Sequence, residues 1–178
     1  MVVPDVIAAD LQVLFVGYNP GVASDKQTHH FAGPGNLFWA LLVDSHLTPY
    51  RLTPDHDRDL LLFHLGITNL VDRMTPSSGD LPQDELKQGA RTLRQKIQEF
   101  RPRVVCFLGK EIYRAYTGAK RSDPVPWGYI TAQLSQGPQL FIAPNPSRRS
   151  TIAYGFRLYY FRCLANIVKF GVHPHIMP

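Results

Sequence analysis

Four short stretches of the chain are almost wholly apolar: LQVLFVG (Leu11–Gly17), GITNLV (Gly66–Val71), RVVCFLG (Arg103–Gly109) and LFIAPN (Leu140–Asn145). Apolarity that does not alternate predicts strands covered on both faces, as in a parallel sheet. GYITAQL (Gly128–Leu134) alternates instead and predicts an edge strand. Between these runs the period lengthens to that of a helix. In PQDELKQGARTLRQKIQEF, residues Leu86, Ala90, Leu93, Ile97 and Phe100 fall on one helical face. Phe156, Tyr160, Cys163, Ile167 and Phe170 repeat that spacing in a final helix. NLFWALLVDSHL begins at Asn36, a candidate cap. TPDHDRDLLLFHLG has Thr53 as candidate N-cap, Pro54 in its first turn and Gly66 as its stop.

Strands alternating with helices predict the α/β class with a mainly parallel sheet. Loops rich in Gly and Pro cluster at residues 20–35, 73–82 and 117–128. Ligands of open α/β sheets bind beyond the carboxyl ends of the strands. Asn19, Asp72 and Asn145 all fall at such ends.

The length of 178 residues suits one domain over 1–178, with a core at about 11–170. A hydrophobic content of 44% excludes a disordered chain. Lys plus Arg number 19 against 14 Asp plus Glu, a net charge of +5 that favours a polyanionic partner such as nucleic acid. Cys106 lies in an apolar strand and Cys163 in an apolar helix, so both read as buried thiols. Two cysteines fit a reducing compartment and exclude a four-cysteine cluster within the chain. The start carries no basic leader, and no run reaches the roughly 18 apolar residues of a membrane span. These features predict a cytoplasmic protein that does not enter a membrane.

The chemistry concentrates in two stretches with one grammar. In LFVGYNPGVASD, Asn19 follows a strand and precedes Pro20-Gly21; in LFIAPNPSRRS, Asn145 follows a strand and precedes Pro146-Ser147. Asn, Pro and Gly are all turn formers, so a simple turn is one reading of each. Proline also restricts the residue before it to extended angles, which aims each asparagine rigidly. A carboxamide offers one acceptor oxygen and two donor hydrogens. It takes no proton at neutral pH, but it can hold a water in line for attack on a bond with a good leaving group. Arg148, Arg149, Ser150 and Thr151 after the second asparagine suit contact with phosphates and insertion into a duplex, or equally a solvated basic turn.

GYNPG (Gly17–Gly21) with NPS (Asn145–Ser147) resembles the GINPG-type and NPSGLS-type motifs of the mismatch-specific uracil/thymine-DNA glycosylases, within the uracil-DNA glycosylase superfamily. The resemblance runs on through FAGPGNLFW (Phe31–Trp39), GITNLVDRMT (Gly66–Thr75), LGKEIY (Leu108–Tyr113) and Trp127-Gly128, in the same order, over roughly residues 11–170. It implies a three-layer α/β/α sandwich with a central, mostly parallel four-stranded sheet. It implies hydrolysis of the N-glycosidic bond of a mispaired or damaged base flipped from double-stranded DNA, without cofactor or metal. By the same resemblance Asn19 positions the attacking water, Phe31 stacks on the base, and Asn145 stabilises charge on the leaving base. Gly17, Tyr18 and Ser24 belong to the base pocket. Ser147, Arg148, Arg149 and Ser150 form the DNA-binding wedge.

Several residues carry two readings. Tyr18 stands where the family has an aliphatic side chain and alters the pocket floor. Asp72 is a loop-capping or ion-paired carboxylate, or one that assists the water or the cationic sugar. Arg148-Arg149 replaces the family's Gly-Leu; a guanidinium can stack and donate to a guanine edge, or grip phosphate. Lys110, at a helix start, is a candidate phosphate contact beside Arg114. His29-His30 and His173-Pro-His175 lack the matching carboxylate or cysteine of a metal site. No nucleophile elbow and no Walker loop is present. The function predicted is a monomeric, monofunctional mismatch-specific uracil-DNA glycosylase. The alternatives are a glycosylase of broad opposite-base and single-strand range, and a lesion-binding protein without turnover.

Overall fold

The computed structural model describes residues 2–76, 78–131 and 137–171. The apolar runs form one sheet in the order β2-β1-β3-β5-β4. Its strands are β1 (Val13–Gly17), β2 (Leu65–Asn69), β3 (Val104–Phe107), β4 (Gly128–Tyr129) and β5 (Gln139–Ile142). β1 pairs in parallel with β2 and β3, and β3 in parallel with β5. Every residue of β1, β2 and β3 is buried, which is why those stretches do not alternate. The four parallel strands are the expected ones. The two-residue β4, antiparallel to β5, brings the count to five rather than four. It is the edge strand expected over Gly128–Leu134, of which residues 132–134 lie outside the described residues.

Helices cover the sheet: α1 (Val22–Gln27), α2 (Phe38–Asp44), α3 (Gln83–Phe100), α4 (Lys110–Thr117) and α5 (Tyr154–Phe170). α3 packs with α4, and α2 with α5. Leu86, Ala90, Leu93 and Ile97 of α3 are buried as their spacing predicts. Asp84 and Glu85 complement the helix dipole in its first turn. No helix among the described residues is long and apolar enough to cross a membrane.

Four local expectations are corrected. The stretch after Thr53 is a 3₁₀ segment, Pro54–Phe63, kinked at His56. Its left-handed stop is His64, and Gly66 lies inside β2. A Cβ on Gly66 would meet the Val6 carbonyl oxygen at 2.5 Å, because Val6 and Ile67 exchange backbone hydrogen bonds there. In α5 the buried residues are Arg157, Phe161, Leu164 and Ile167, while Phe156 and Phe170 are exposed. The helix is aromatic on more than one face, so spacing alone picks the wrong stripe. Cys106 is fully buried, and burial pushes its thiol pKa far up, but Cys163 is only half-buried.

α3 approaches the end of β2 most closely at Gly89, where an added Cβ would lie 2.1 Å from the Leu70 carbonyl oxygen. Alanine is ordinarily the better helix former by about 1 kcal/mol. Gly89→Ala is therefore expected to reverse the usual sign and destabilise the fold by about 1–3 kcal/mol. Thermal unfolding checks this; an unchanged or raised Tm would mean that α3 yields at that contact.

Candidate active site

The carboxyl ends of β1, β2, β3 and β5 open into one cleft of about 780 Å³. β1 is the strand at which the sheet order changes direction, so the loops after it and its neighbours diverge and leave a crevice. Asn19 and Asn145, 126 positions apart in sequence by subtraction of their residue numbers, both line it. So do Gly17, Tyr18, Ser24 and Phe31 on one side and Ser147 to Ser150 on the other.

Asn19 is held by the segment that follows β2. Parallel pairing continues past the strand ends, with Leu70 N–H donating to Gly17 O and Val71 N–H to Tyr18 O. The chain then turns back across Asn19. Asn19 Nδ2 donates to the Arg73 carbonyl at 3.1 Å and to Thr75 Oγ1 at 2.7 Å. A carbonyl only accepts, so the nitrogen must face Arg73 and the amide cannot be flipped. Both amide hydrogens are thereby engaged. The oxygen Oδ1, to which no group donates among the described residues, is the atom left for a ligand. Asn19 therefore presents an acceptor to the cleft.

Asn145 is oriented the other way round. Its Oδ1 accepts from Ser147 N–H at 2.7 Å, which leaves its amide hydrogens as donors. The same turn is repeated along the loop: Ser147 Oγ accepts from Arg149 N–H at 3.2 Å, and Ser150 Oγ from Ile152 N–H at 3.4 Å. Each side chain serves the amide two residues on, which is the chemistry that makes Asn and Ser turn formers. Beneath the loop Arg157, 2% exposed, donates through Nη2 to Ser150 O at 2.9 Å and to Ser147 O at 3.3 Å. Pro146 O accepts from Leu37 N–H at the start of α2. The second motif is thus both turn and prong, tied to two helices.

Between the prongs lies an aromatic and amide floor. Phe31 packs on Phe38 with centroids 4.2 Å apart and planes tilted by 31°, and Phe38 meets Phe15 of β1 edge-on at 5.2 Å. The ring is half-buried and faces the cleft, on backbone in the left-handed region at φ 52°. Gly17 leaves room for a carboxamide: a Cβ there would sit 2.5 Å from Asn69 Oδ1 and displace it, while Phe31 Cζ at 3.7 Å would be in ordinary contact. Asn69, at the end of β2, is 7% exposed, lines the cleft, and has no side-chain hydrogen bond among the described residues. Tyr18 is half-buried, and burial followed by the nearby Glu111 carboxylate raises its phenol pKa. Ser24 is buried and uses its hydroxyl to accept from Ala32 N–H at 3.1 Å. His30 also lines the cleft. Burial lowers its pKa and keeps the ring neutral, with Nε2 donating to Pro4 O at 2.8 Å. Asn36 lies before the helix it was expected to cap, and its Oδ1 accepts from Phe38 N–H at 3.0 Å.

The two arginines reach to opposite walls. Arg148 lies across Gly35, whose missing Cβ would fall 2.1 Å from Arg148 Cδ. Arg149 Nη1 donates to Pro76 O at 2.8 Å. Two expected residues are not on the cleft wall. Asp72 is half-exposed and turns to Lys96, its Oδ1 4.0 Å from a Nζ that also pairs with Asp5 at 2.6 Å. Lys110 lays its ammonium over the Trp127 ring, 4.5 Å from the centroid. Asn69, Thr75 and Lys26 line the cleft without having been singled out from sequence, and His30 was weighed only as a metal ligand. Asn69 carried a legible signal, being the carboxamide of a largely apolar run just before the strand end. Thr75 carried none, because its role depends on a chain reversal.

A family model described as the uracil DNA glycosylase superfamily matches residues 4–166, which takes in every strand, both prongs and most of α5. With that match and this cleft, the chain belongs to the uracil-DNA glycosylase superfamily.

Proposed function

We propose that this protein is a monofunctional, monomeric glycosylase that hydrolyses uracil from mispaired positions of double-stranded DNA and leaves an abasic site. The single observation that carries the reading is the fixed orientation of Asn19. Its hydrogens are spent on Arg73 and Thr75, and its oxygen remains as an acceptor in the cleft it shares with Asn145.

A base inside a duplex is out of reach and must be extruded, at a cost on the order of a few kcal/mol that is smaller for a mispair. Phe31 offers the extruded ring a face to stack on, a contact worth about 1–3 kcal/mol. Asn69 offers its carboxamide to the base edge, where an unused donor and acceptor match a pyrimidine imide. Asn19 Oδ1 accepts a hydrogen from the water and turns a lone pair toward C1′. As the C1′–N1 bond lengthens, the sugar gains cationic character and the base leaves as an anion. The amide hydrogens of Asn145 are donors for charge on that side of the bond. Water oxygen bonds to C1′, the base carries away the bonding pair, and the water's proton passes to solvent or to the departed base. No side chain here takes that proton, so the reaction relies on a leaving group that spreads its own charge. Asp72, turned to Lys96, is left out of this mechanism. Arg148 and Arg149 contribute the grip on the strand from which the base departs.

A duplex with one G·U pair, incubated and then heated in alkali, tests the reading. Cleavage is expected with the intact protein. Asn19→Ala should slow single-turnover excision by about 10²–10⁴-fold, the range of a positioned polar group acting on the reacting water. Tight binding without an abasic product would instead identify a lesion binder, and equal rates on single strands a broader glycosylase. Asn69→Ala should cost roughly 5–150-fold on uracil, the equivalent of about 1–3 kcal/mol for an unpaired buried edge. Competition between uracil and a 5-substituted pyrimidine reads whether that loss is specific to the base. Arg149→Ala should weaken duplex binding more than single-strand binding; equal losses would reduce its role to phosphate contact.

A further inference from the structure

Phe31 occupies backbone that a bulky side chain adopts rarely, and what holds it there lies outside both Asn-Pro motifs. Its φ of 52° is left-handed. The amides on either side of it are both captured by side chains. Ala32 N–H donates to Ser24 Oγ at 3.1 Å, and His30 N–H donates to Asp57 Oδ2 at 3.0 Å. Asp57 comes from the 3₁₀ segment Pro54–Phe63, remote in sequence, and is 4% exposed. The same Oδ2 lies 3.3 Å from His29 Nδ1. One buried carboxylate oxygen therefore holds the His30 amide and lies beside the His29 ring, while the His30 ring is fixed on its far side to Pro4 O.

We propose that Asp57 is a positioning residue, one that holds Phe31 in its left-handed conformation and so sets the ring against which the extruded base stacks. A buried carboxylate is costly unless well paired. Asp57 is buried in the same segment as apolar Leu60. What it supplies is an acceptor strong enough to bind a backbone amide in a strained turn. Strain of this kind persists only where the surroundings over-determine it. Here they do so from two directions, with Ser24 on the first-motif side and Asp57 on the other. The stacking face is then ready before DNA arrives, and no binding energy is spent on forming it.

This inference rests on the glycosylase reading, and a double-mutant cycle separates the two. Single-turnover excision from a G·U duplex is measured for the unaltered protein, Asp57→Ala, Phe31→Ala and the pair, with affinity for an undamaged duplex alongside. Asp57→Ala should lose roughly tenfold or more in rate, as misplaced contacts do, with undamaged-duplex affinity within about twofold. In the Phe31→Ala background the same change should cost less than about twofold, because the side chain it positions is gone. Asp57→Asn should restore most of the rate, its carboxamide oxygen still accepting the His30 amide. If alanine fails to fold, Asp57→Leu repeats the cycle with the volume kept and the acceptor removed. Multiplying losses, an unchanged Asp57→Ala rate, or failure of both variants to fold would each overturn the positioning role. Absence of excision by the unaltered protein would overturn the glycosylase reading, and this inference with it.

Discussion

One backbone carbonyl, that of Arg73, decides what Asn19 can do. A carboxamide free to rotate would present oxygen and nitrogen to the cleft by turns, and a water beside it would have no fixed acceptor. The Arg73 carbonyl and the Thr75 hydroxyl, both beyond β2, take the two amide hydrogens and settle the matter. That arrangement depends in turn on the sheet. The chain after β2 reaches Asn19 only because parallel pairing carries on through Leu70 and Val71 onto Gly17 and Tyr18. Gly17 in turn leaves the room that the Asn69 carboxamide takes beneath.

Much of this was readable from the chain. Buried parallel strands show as non-alternating apolar runs, and α3 shows as a clean stripe with a polar face, because burial on one side leaves that signature. The two Asn-Pro turns declared themselves through strand ends and through proline's restriction of the residue before it. The failures have physical causes. The Thr53 segment carries helix-start chemistry but winds as 3₁₀, with Asp57 buried and bonded to the backbone of another loop. α5 is aromatic around much of its surface, so periodicity could not say which ring faces inward. Asp72 is no such failure: its strand-end place allowed an ion-paired reading beside the catalytic one, and its side chain lies toward Lys96 on α3. Thr75 and Arg73 could not be found at all, since nothing local to them speaks of Asn19.

The two prongs reach rigidity by different routes. The first is set by long-range bonds from a neighbouring loop. The second is almost self-contained, three side chains each serving the amide two positions on, with Arg157 gathering the carbonyls below. Arg157 is a buried cation with its Nε unpartnered among the described residues, so its attachment to those carbonyls is what the helix start gains from keeping it. Both routes yield amides of fixed sense, one presenting oxygen and the other hydrogen.

The bond from Arg149 to the Pro76 carbonyl has a mechanical meaning. Pro76 adjoins Thr75, and Thr75 holds Asn19. A pull on the guanidinium is thus transmitted through one peptide unit to the lever on which the other prong rests. The walls of the crevice are not independent jaws but two arms joined at residues 75 and 76.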